Sequence, residues 1–97
     1  MDEAVHKYFA QALAPSTTAT YHSIANRYFR FCQQFNLSPL PLHHDTVVRF
    51  IAHLAQGGLG YQSLRSYLSG LRYLQVSRGL PDPCLMSIPM LEYVMRG

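Results

Sequence analysis

Residues 61–78 of this chain read YQSLRSYLSGLRYLQVSR, and this segment decides the fold. Leu64, Leu68 and Leu71 recur at helical spacing, which indicates an amphipathic helix with one buried side. The other side carries Gln, Arg, Ser and Tyr, and the whole segment contains neither Asp nor Glu. Exposed helix faces of soluble proteins usually mix both signs of charge, so this composition favours an anionic partner such as phosphate.

Residues 16–35 form a second predicted amphipathic helix without acids. Pro15 interrupts the chain before it, and Ser16-Thr17 is the predicted N-cap. In the helix of residues 61–78, Ser63 and Gly70 form an edge of small residues, which would permit the close approach of another helix. The predicted core stripe of residues 16–35 consists of Ile24, Tyr28, Phe31 and Phe35, with Tyr21 and Cys32 beside it.

Three further helices complete the predicted fold. Residues 2–13 read as a short accessory helix, His43-His44-Asp45 opens a third helix that Gly57-Gly58 ends, and Pro89 starts a last helix through Arg96. No stretch of alternating apolar and polar residues is long enough for a strand. With 97 residues and 48% hydrophobic content, the prediction is a single all-α domain, residues 1–97, folded as a four- to five-helix bundle.

The distribution of the basic residues along the chain is more informative than their number. The formal net charge is +3, and seven of the eight basic side chains are arginines, whose planar fork suits phosphate and guanine edges. Residues 4–44 and 46–81 contain no acid.

The two cysteines, Cys32 and Cys84, form no disulfide framework, and Cys32 is predicted to be a reduced, buried thiol. No apolar run reaches membrane length, so we expect a soluble intracellular protein or part of one.

The residues offer no basis for catalysis, metal binding or a cofactor. The five acids are scattered, without a pair at the spacing that acid–base chemistry needs. His43-His44 is the only histidine cluster, and adjacent helical residues point about 100° apart, so a helix-start role is favoured over a metal site. The glycines at 57, 58 and 60 lack the preceding strand and the following Lys of a phosphate loop. The residues therefore indicate a binding module.

Three motifs, in order, resemble a known family. They are PSTTATY with YFRFC (residues 15–21 and 28–32), the helix after the loop (residues 40–54), and GLGYQSLRSYLSGLR (residues 58–72). Together they are similar to the N-terminal core-binding, SAM-like domain of tyrosine recombinases of the phage-integrase type. Ala19 and Tyr67 stand where that family often has basic residues.

The resemblance implies an orthogonal all-α bundle that grips duplex DNA for site-specific recombination or integration. The two acid-free helices would meet the DNA, and a separate C-terminal catalytic domain, beginning near residue 97, would cut it. None of the seven tyrosines here would be the nucleophile. The expected source is a mobile element, with nuclear localisation if eukaryotic, the favoured case, and cytoplasmic or nucleoid localisation if bacterial. We expect the isolated domain to be a monomer without membrane contact.

Each candidate residue has an ordinary alternative role. Arg65 and Arg72, one heptad apart with Ser69 between them, either contact DNA or belong to a solvated face. His22 is either a phosphate contact or an ordinary surface histidine, and Thr18 is first a capping residue. The alternative for the whole chain is a helical protein-interaction domain of the SAM or death-fold type, which would be favoured if a helix covered the polar faces. The predicted DNA-binding residues are Thr18, His22, Ser23, Asn26, Arg27, Arg30, Gln62, Arg65, Ser66, Ser69, Arg72 and Tyr73.

Overall fold

A computed structural model of the chain describes residues 15–96, and all regular structure in this range is helical. This confirms the all-α prediction for the described part of the chain. The predicted helix over residues 2–13 lies outside the described residues. The elements are α1 (Pro15–Gln34), α2 (His44–Gln56), α3 (Tyr61–Val76), a 3-10 turn (Leu85–Ser87) and α4 (Pro89–Arg96).

The three long helices end in the same way, with a nearby residue in the left-handed backbone region. These residues are Asn36 (φ 59°), Gly58 (φ 101°) and Gly79 (φ 82°). In each case the N–H of the following residue donates to a carbonyl five positions earlier, which satisfies a group that the helix end leaves open. Glycine adopts this conformation without steric cost, and asparagine tolerates it better than most residues.

Two predictions for the first helix need correction. The helix already begins at Pro15, so the predicted capping residues Ser16, Thr17 and Thr18 all lie inside it and none of them is the N-cap. Proline fits the first helical turn because its φ is fixed and its missing N–H would have no helical partner there.

The last predicted core residue, Phe35, is 48% exposed. Helix α1 ends at Gln34 and the chain then turns away, so Phe35 reaches only the edge of the core.

An aromatic cluster joins α1 to α2 in the centre of the core. The ring of Phe50 lies 5.3 Å from that of Tyr28 and 5.2 Å from that of Phe31. Tyr28 is fully buried, and its hydroxyl donates to the Pro39 carbonyl at 2.7 Å. This bond satisfies the polar atom of an otherwise apolar packing residue. Burial raises the pKa of Tyr28 above its ordinary value, so the phenol stays neutral.

Cys32 lies in the same core, as the sequence predicted, and is 1% exposed. Burial raises the pKa of its thiol, which lowers the fraction of reactive thiolate. Cys84, in contrast, is exposed in the loop before the 3-10 turn.

Helix α1 packs mainly on α3, while α2 packs mainly on α4. The first pair meets where Ile24 of α1 lies on Gly70 of α3. A Cβ atom added to Gly70 would lie 2.8 Å from Ile24 Cδ1 and 2.9 Å from its Cγ2. Because Gly70 has no side chain, the two helices can approach closely at this position, as the edge of small residues in the sequence permits.

Gln75 fastens two loops to the buried side of α3. Its side-chain oxygen accepts the N–H of Leu42, and its amide nitrogen donates to the Pro81 carbonyl at 2.8 Å. Gln75 is only 4% exposed, so both groups are paired away from water. The second of these bonds holds the chain that follows α3 beside the helix.

Replacing Gly70 with Ala should destabilise the protein although Ala is the better helix former. Overpacking typically costs about 1–3 kcal/mol, against roughly 1 kcal/mol gained in helix propensity. We expect a net loss, measured as a lower denaturant midpoint of unfolding. Ser63→Ala is the matched control, because Ser63 is exposed on the same helix. Equal stability of the two variants would contradict the tight helix crossing.

Candidate nucleic-acid interface

The twelve predicted binding residues lie on α1 and α3, and no helix within residues 15–96 covers them. Ten are exposed, while Thr18 and Tyr73 are half-buried. The polar faces of both helices are therefore accessible in the described part of the chain, as a surface that meets a large partner requires.

Helix α3 carries its six predicted residues on one face between two shallow grooves. The first, named the hydroxyl groove, has a volume of about 250 Å³ and separates Ser66 and Ser69 from the start of α1. The second, named the Asp82 groove, has a volume of about 380 Å³ and lies between α3 and the loop that follows it. Ser69 lines both grooves, so it lies near the middle of this face.

The predicted residues of α1 do not form one uniform face. Arg27 reaches the neighbouring helix, where its Nη1 donates to the Tyr67 hydroxyl at 3.1 Å. His22 and Asn26 instead line a third groove, of about 330 Å³, together with Tyr73 and Arg78. The predicted residues of α1 are thus divided between a contact with Tyr67 and a groove beside Tyr73.

All three carboxylates within residues 15–96 form ion pairs with arginine, and all three pairs are exposed. Exposed pairs of this kind contribute little to stability, because water and salt screen them. They do, however, cancel charge locally. The pairs, measured from the arginine Nε to the carboxylate, are Arg49–Asp45 (3.3 Å), Arg72–Asp82 (3.1 Å) and Arg96–Glu92 (2.8 Å).

Four arginines form no ion pair with a carboxylate among the described residues, although Arg65 lies near enough to Glu92 to help lower the pKa of that carboxyl. They are Arg27 and Arg30 on α1, Arg65 on α3, and Arg78 two residues beyond the end of α3. The unneutralised positive charge of this part of the chain is therefore confined to the two acid-free helices and their immediate extension. Sequence reasoning did not include Arg78 among the site residues, although it lies in the same acid-free run.

Two of these arginines lie beside aromatic rings. The guanidinium carbon of Arg65 is 6.0 Å from the centre of the Tyr61 ring, and that of Arg78 is 6.0 Å from the centre of the Phe29 ring. Such contacts support the guanidinium without neutralising its charge. Both side chains therefore remain able to meet an anion.

Arg72 makes a contact that the sequence did not predict. Its Nε donates to Asp82 Oδ2 at 3.1 Å, while Oδ1 of the same carboxylate accepts the Cys84 N–H at 3.0 Å. The Cys84 N–H and then Arg72 hold the pKa of Asp82 below its ordinary value. The only signal in the sequence was the turn Pro81-Asp82-Pro83, which places one acid between two rigid residues. A helix without acids thus acquires a carboxylate beside its exposed face.

A second polar cluster joins the start of α3 to α4. Glu92 Oε2 accepts hydrogen bonds from Arg96 Nε at 2.8 Å and from the Tyr61 hydroxyl at 2.9 Å. These two bonds, in that order, lower the pKa of Glu92, and Glu92 raises the pKa of Arg96. Since the Tyr61 ring also lies beside Arg65, this cluster helps to position one predicted binding residue.

The described residues contain neither a group of three His, Cys, Asp or Glu side chains able to hold a metal ion nor a helix suited to crossing a membrane. In the histidine pair, Nε2 of His44 lies 3.4 Å from the Pro83 carbonyl oxygen.

The chain matches no protein-family model, and no curated protein matches it in sequence.

Replacing Arg72 with Gln should raise the pKa of Asp82. The rise should be partial, because the Cys84 N–H, the larger influence, still favours the ionised carboxylate. A carbon-detected NMR titration of the side-chain carboxyl measures this pKa directly. Arg49→Gln is the control and should leave it unchanged. An unchanged pKa of Asp82 in the Arg72→Gln variant would contradict the ion pair between Asp82 and Arg72.

Proposed function

We propose that residues 15–96 form a module that binds double-stranded DNA through the exposed faces of α1 and α3. The observation that carries this proposal is the location of Arg27, Arg30, Arg65 and Arg78. They are the arginines that form no ion pair with a carboxylate among the described residues, and all belong to these two helices or the turn after α3. Phosphate neutralisation by such side chains supplies nearly all of the affinity in non-specific DNA binding and a large share of it in specific binding.

The side chains between these arginines suit a nucleic-acid contact. Gln62, Ser66 and Ser69 are exposed on α3 and carry hydroxyl or amide groups. Groups of this kind donate to phosphate oxygens and to base edges. An α-helix with its side chains is about 10–12 Å wide, which matches the major groove of about 12 Å. Contact through α3 would therefore combine affinity for the phosphate backbone with some selectivity for the base sequence.

The three sequence motifs narrow the proposed class to the core-binding domain of a tyrosine recombinase. In this proposal the module holds the duplex for site-specific recombination or integration. Strand cleavage would belong to a catalytic domain elsewhere in a longer chain, and the module itself would be no enzyme and need no cofactor. The nucleus is the proposed location if the source is eukaryotic.

A helical protein-interaction domain is the second candidate, and a different surface favours it. Met86, Met90 and Tyr93, in and near α4, are 57%, 55% and 71% exposed. Met86 lies in the 3-10 turn, and Met90 and Tyr93 lie on α4. Exposed apolar side chains that form a contiguous patch are typical of protein contacts. This candidate uses the side of the molecule that carries α4 and would leave the arginines of α1 as solvated charges.

Neutralising an arginine without an ion pair should weaken duplex binding more than neutralising a paired one. We compare Arg27→Gln and Arg65→Gln, one at a time, with Arg49→Gln, which removes the same formal charge and whose pair with Asp45 lies on α2. Each of the first two variants should also flatten the plot of log affinity against log salt by about 0.9 for each phosphate that the protein no longer neutralises. Fluorescence anisotropy with a random duplex at several salt concentrations measures both quantities.

Three outcomes would contradict the proposal. They are failure of the wild type to bind duplex even at low salt, binding that does not depend on salt, and a decrease of affinity in Arg49→Gln equal to that in the other two variants. The first result would favour the protein-interaction domain, and the other two would reject phosphate neutralisation by α1 and α3. Circular dichroism of each variant checks that its helices are intact.

A further inference from the structure

The Asp82 groove contains the groups of an anion site together with an anion of the protein itself. Arg65, Ser69 and Arg72 of α3 line one side of the groove, and Ser87 lies on the other. The Asp82 carboxylate also lines this groove and pairs with Arg72. The Ser87 hydroxyl is already used, since it donates to the Cys84 carbonyl at 2.7 Å. The two guanidinium groups and the Ser69 hydroxyl still exceed what one carboxylate needs, and they match the kinds of donor that bind phosphate.

The position of Asp82 is fixed by its own loop. Pro81 and Pro83 restrict the backbone on both sides, and the Cys84 N–H holds Oδ1 at 3.0 Å. This leaves Oδ2 directed at Arg72. The carboxylate is therefore held at α3 by the loop and does not reach it by a chance side-chain rotation.

The contact between Asp82 and Arg72 is nevertheless easy to exchange. The two side chains are 48% and 57% exposed, so water and salt reach the pair. Exposed pairs of this type are weak. A phosphate group of a duplex can compete for the same guanidinium, because its binding also releases condensed counterions.

We propose that the Asp82 groove binds one backbone phosphate of a DNA duplex, and that the Asp82 carboxylate occupies the place of this phosphate in the free protein. This inference rests on the proposed function. The two terminal nitrogens of Arg72 keep four N–H groups that could bind a phosphate beside Asp82, but the carboxylate offsets the guanidinium charge and repels the phosphate. Full use of the Arg72 charge by a phosphate therefore requires Asp82 to give way, and Asp82 thereby lowers the affinity for duplex and its dependence on salt.

The test compares Asp82→Asn with Asp45→Asn in duplex binding. Asparagine keeps an oxygen for the Cys84 N–H and presents an uncharged group to Arg72, so the turn is retained while the arginine is released. Asp45 is the matched control: it pairs with Arg49 on α2, outside the proposed surface, and its replacement changes the net charge equally.

Asp82→Asn should bind duplex more tightly than Asp45→Asn and with a steeper salt dependence, by up to about 0.9 in the log–log slope. Its advantage should therefore grow up to about threefold between about 200 mM and about 50 mM salt. In a background of Arg72→Gln, the replacement of Asp82 should no longer steepen the slope.

Equal effects of the two replacements would overturn the inference and leave the proposed function standing, since duplex binding itself would persist. Weaker binding by a folded Asp82→Asn variant would also overturn it, because Asp82 would then support the site. No binding by the wild type or either variant would reject the proposed function itself. As a second measurement, the carboxyl carbon resonance of Asp82 in the wild type should shift when duplex is added, and an unchanged resonance would overturn the exchange.

Discussion

The close approach of α1 and α3 at Ile24 and Gly70 is the constraint on which the exposed surface of these helices depends. A Cβ at Gly70 would meet Ile24 Cδ1 at 2.8 Å, so the two helices can lie this near only with glycine there. The crossing buries the apolar stripe of each helix and leaves both polar faces outside. It also forms the hydroxyl groove, in which Ser66 and Ser69 face the start of α1. The packing of α1 against α3 and the geometry of the candidate interface thus both depend on this contact.

The basic character of this surface depends on which arginines are neutralised by carboxylates as much as on how many arginines the helices carry. Each carboxylate within residues 15–96 is paired with an arginine, and the arginines left over lie on α1, on α3 or just beyond it. A chain of modest net charge can in this way present a locally basic surface. Asp82 reduces the positive charge of this surface, because the loop after α3 places its carboxylate beside Arg72. The same groove therefore holds both the donors for an anion and a competitor for them.

Much of the fold follows from local sequence, because helical periodicity and helix ends depend on neighbouring residues. The leucines of α3, the stop at Gly58 and the small residue at Gly70 were all predictable for this reason. Phe35 was placed wrongly because its burial depends on where the chain turns after Gln34. The contacts of Asp82 and Glu92 were missed because they join different elements, and no local pattern indicates which arginine a loop carboxylate will meet. For α1, the crossing with α3 decided which polar residues share a groove, and the helix alone does not specify that crossing.

The most direct test of the central claim is the map of amide chemical-shift changes when isotopically labelled protein is titrated with a short duplex. We expect the largest changes along the exposed face of α3 around Ser69 and along α1 around Arg27, with α4 unaffected. Changes concentrated around Met90 and Tyr93, or none at low salt, would contradict DNA binding through α1 and α3.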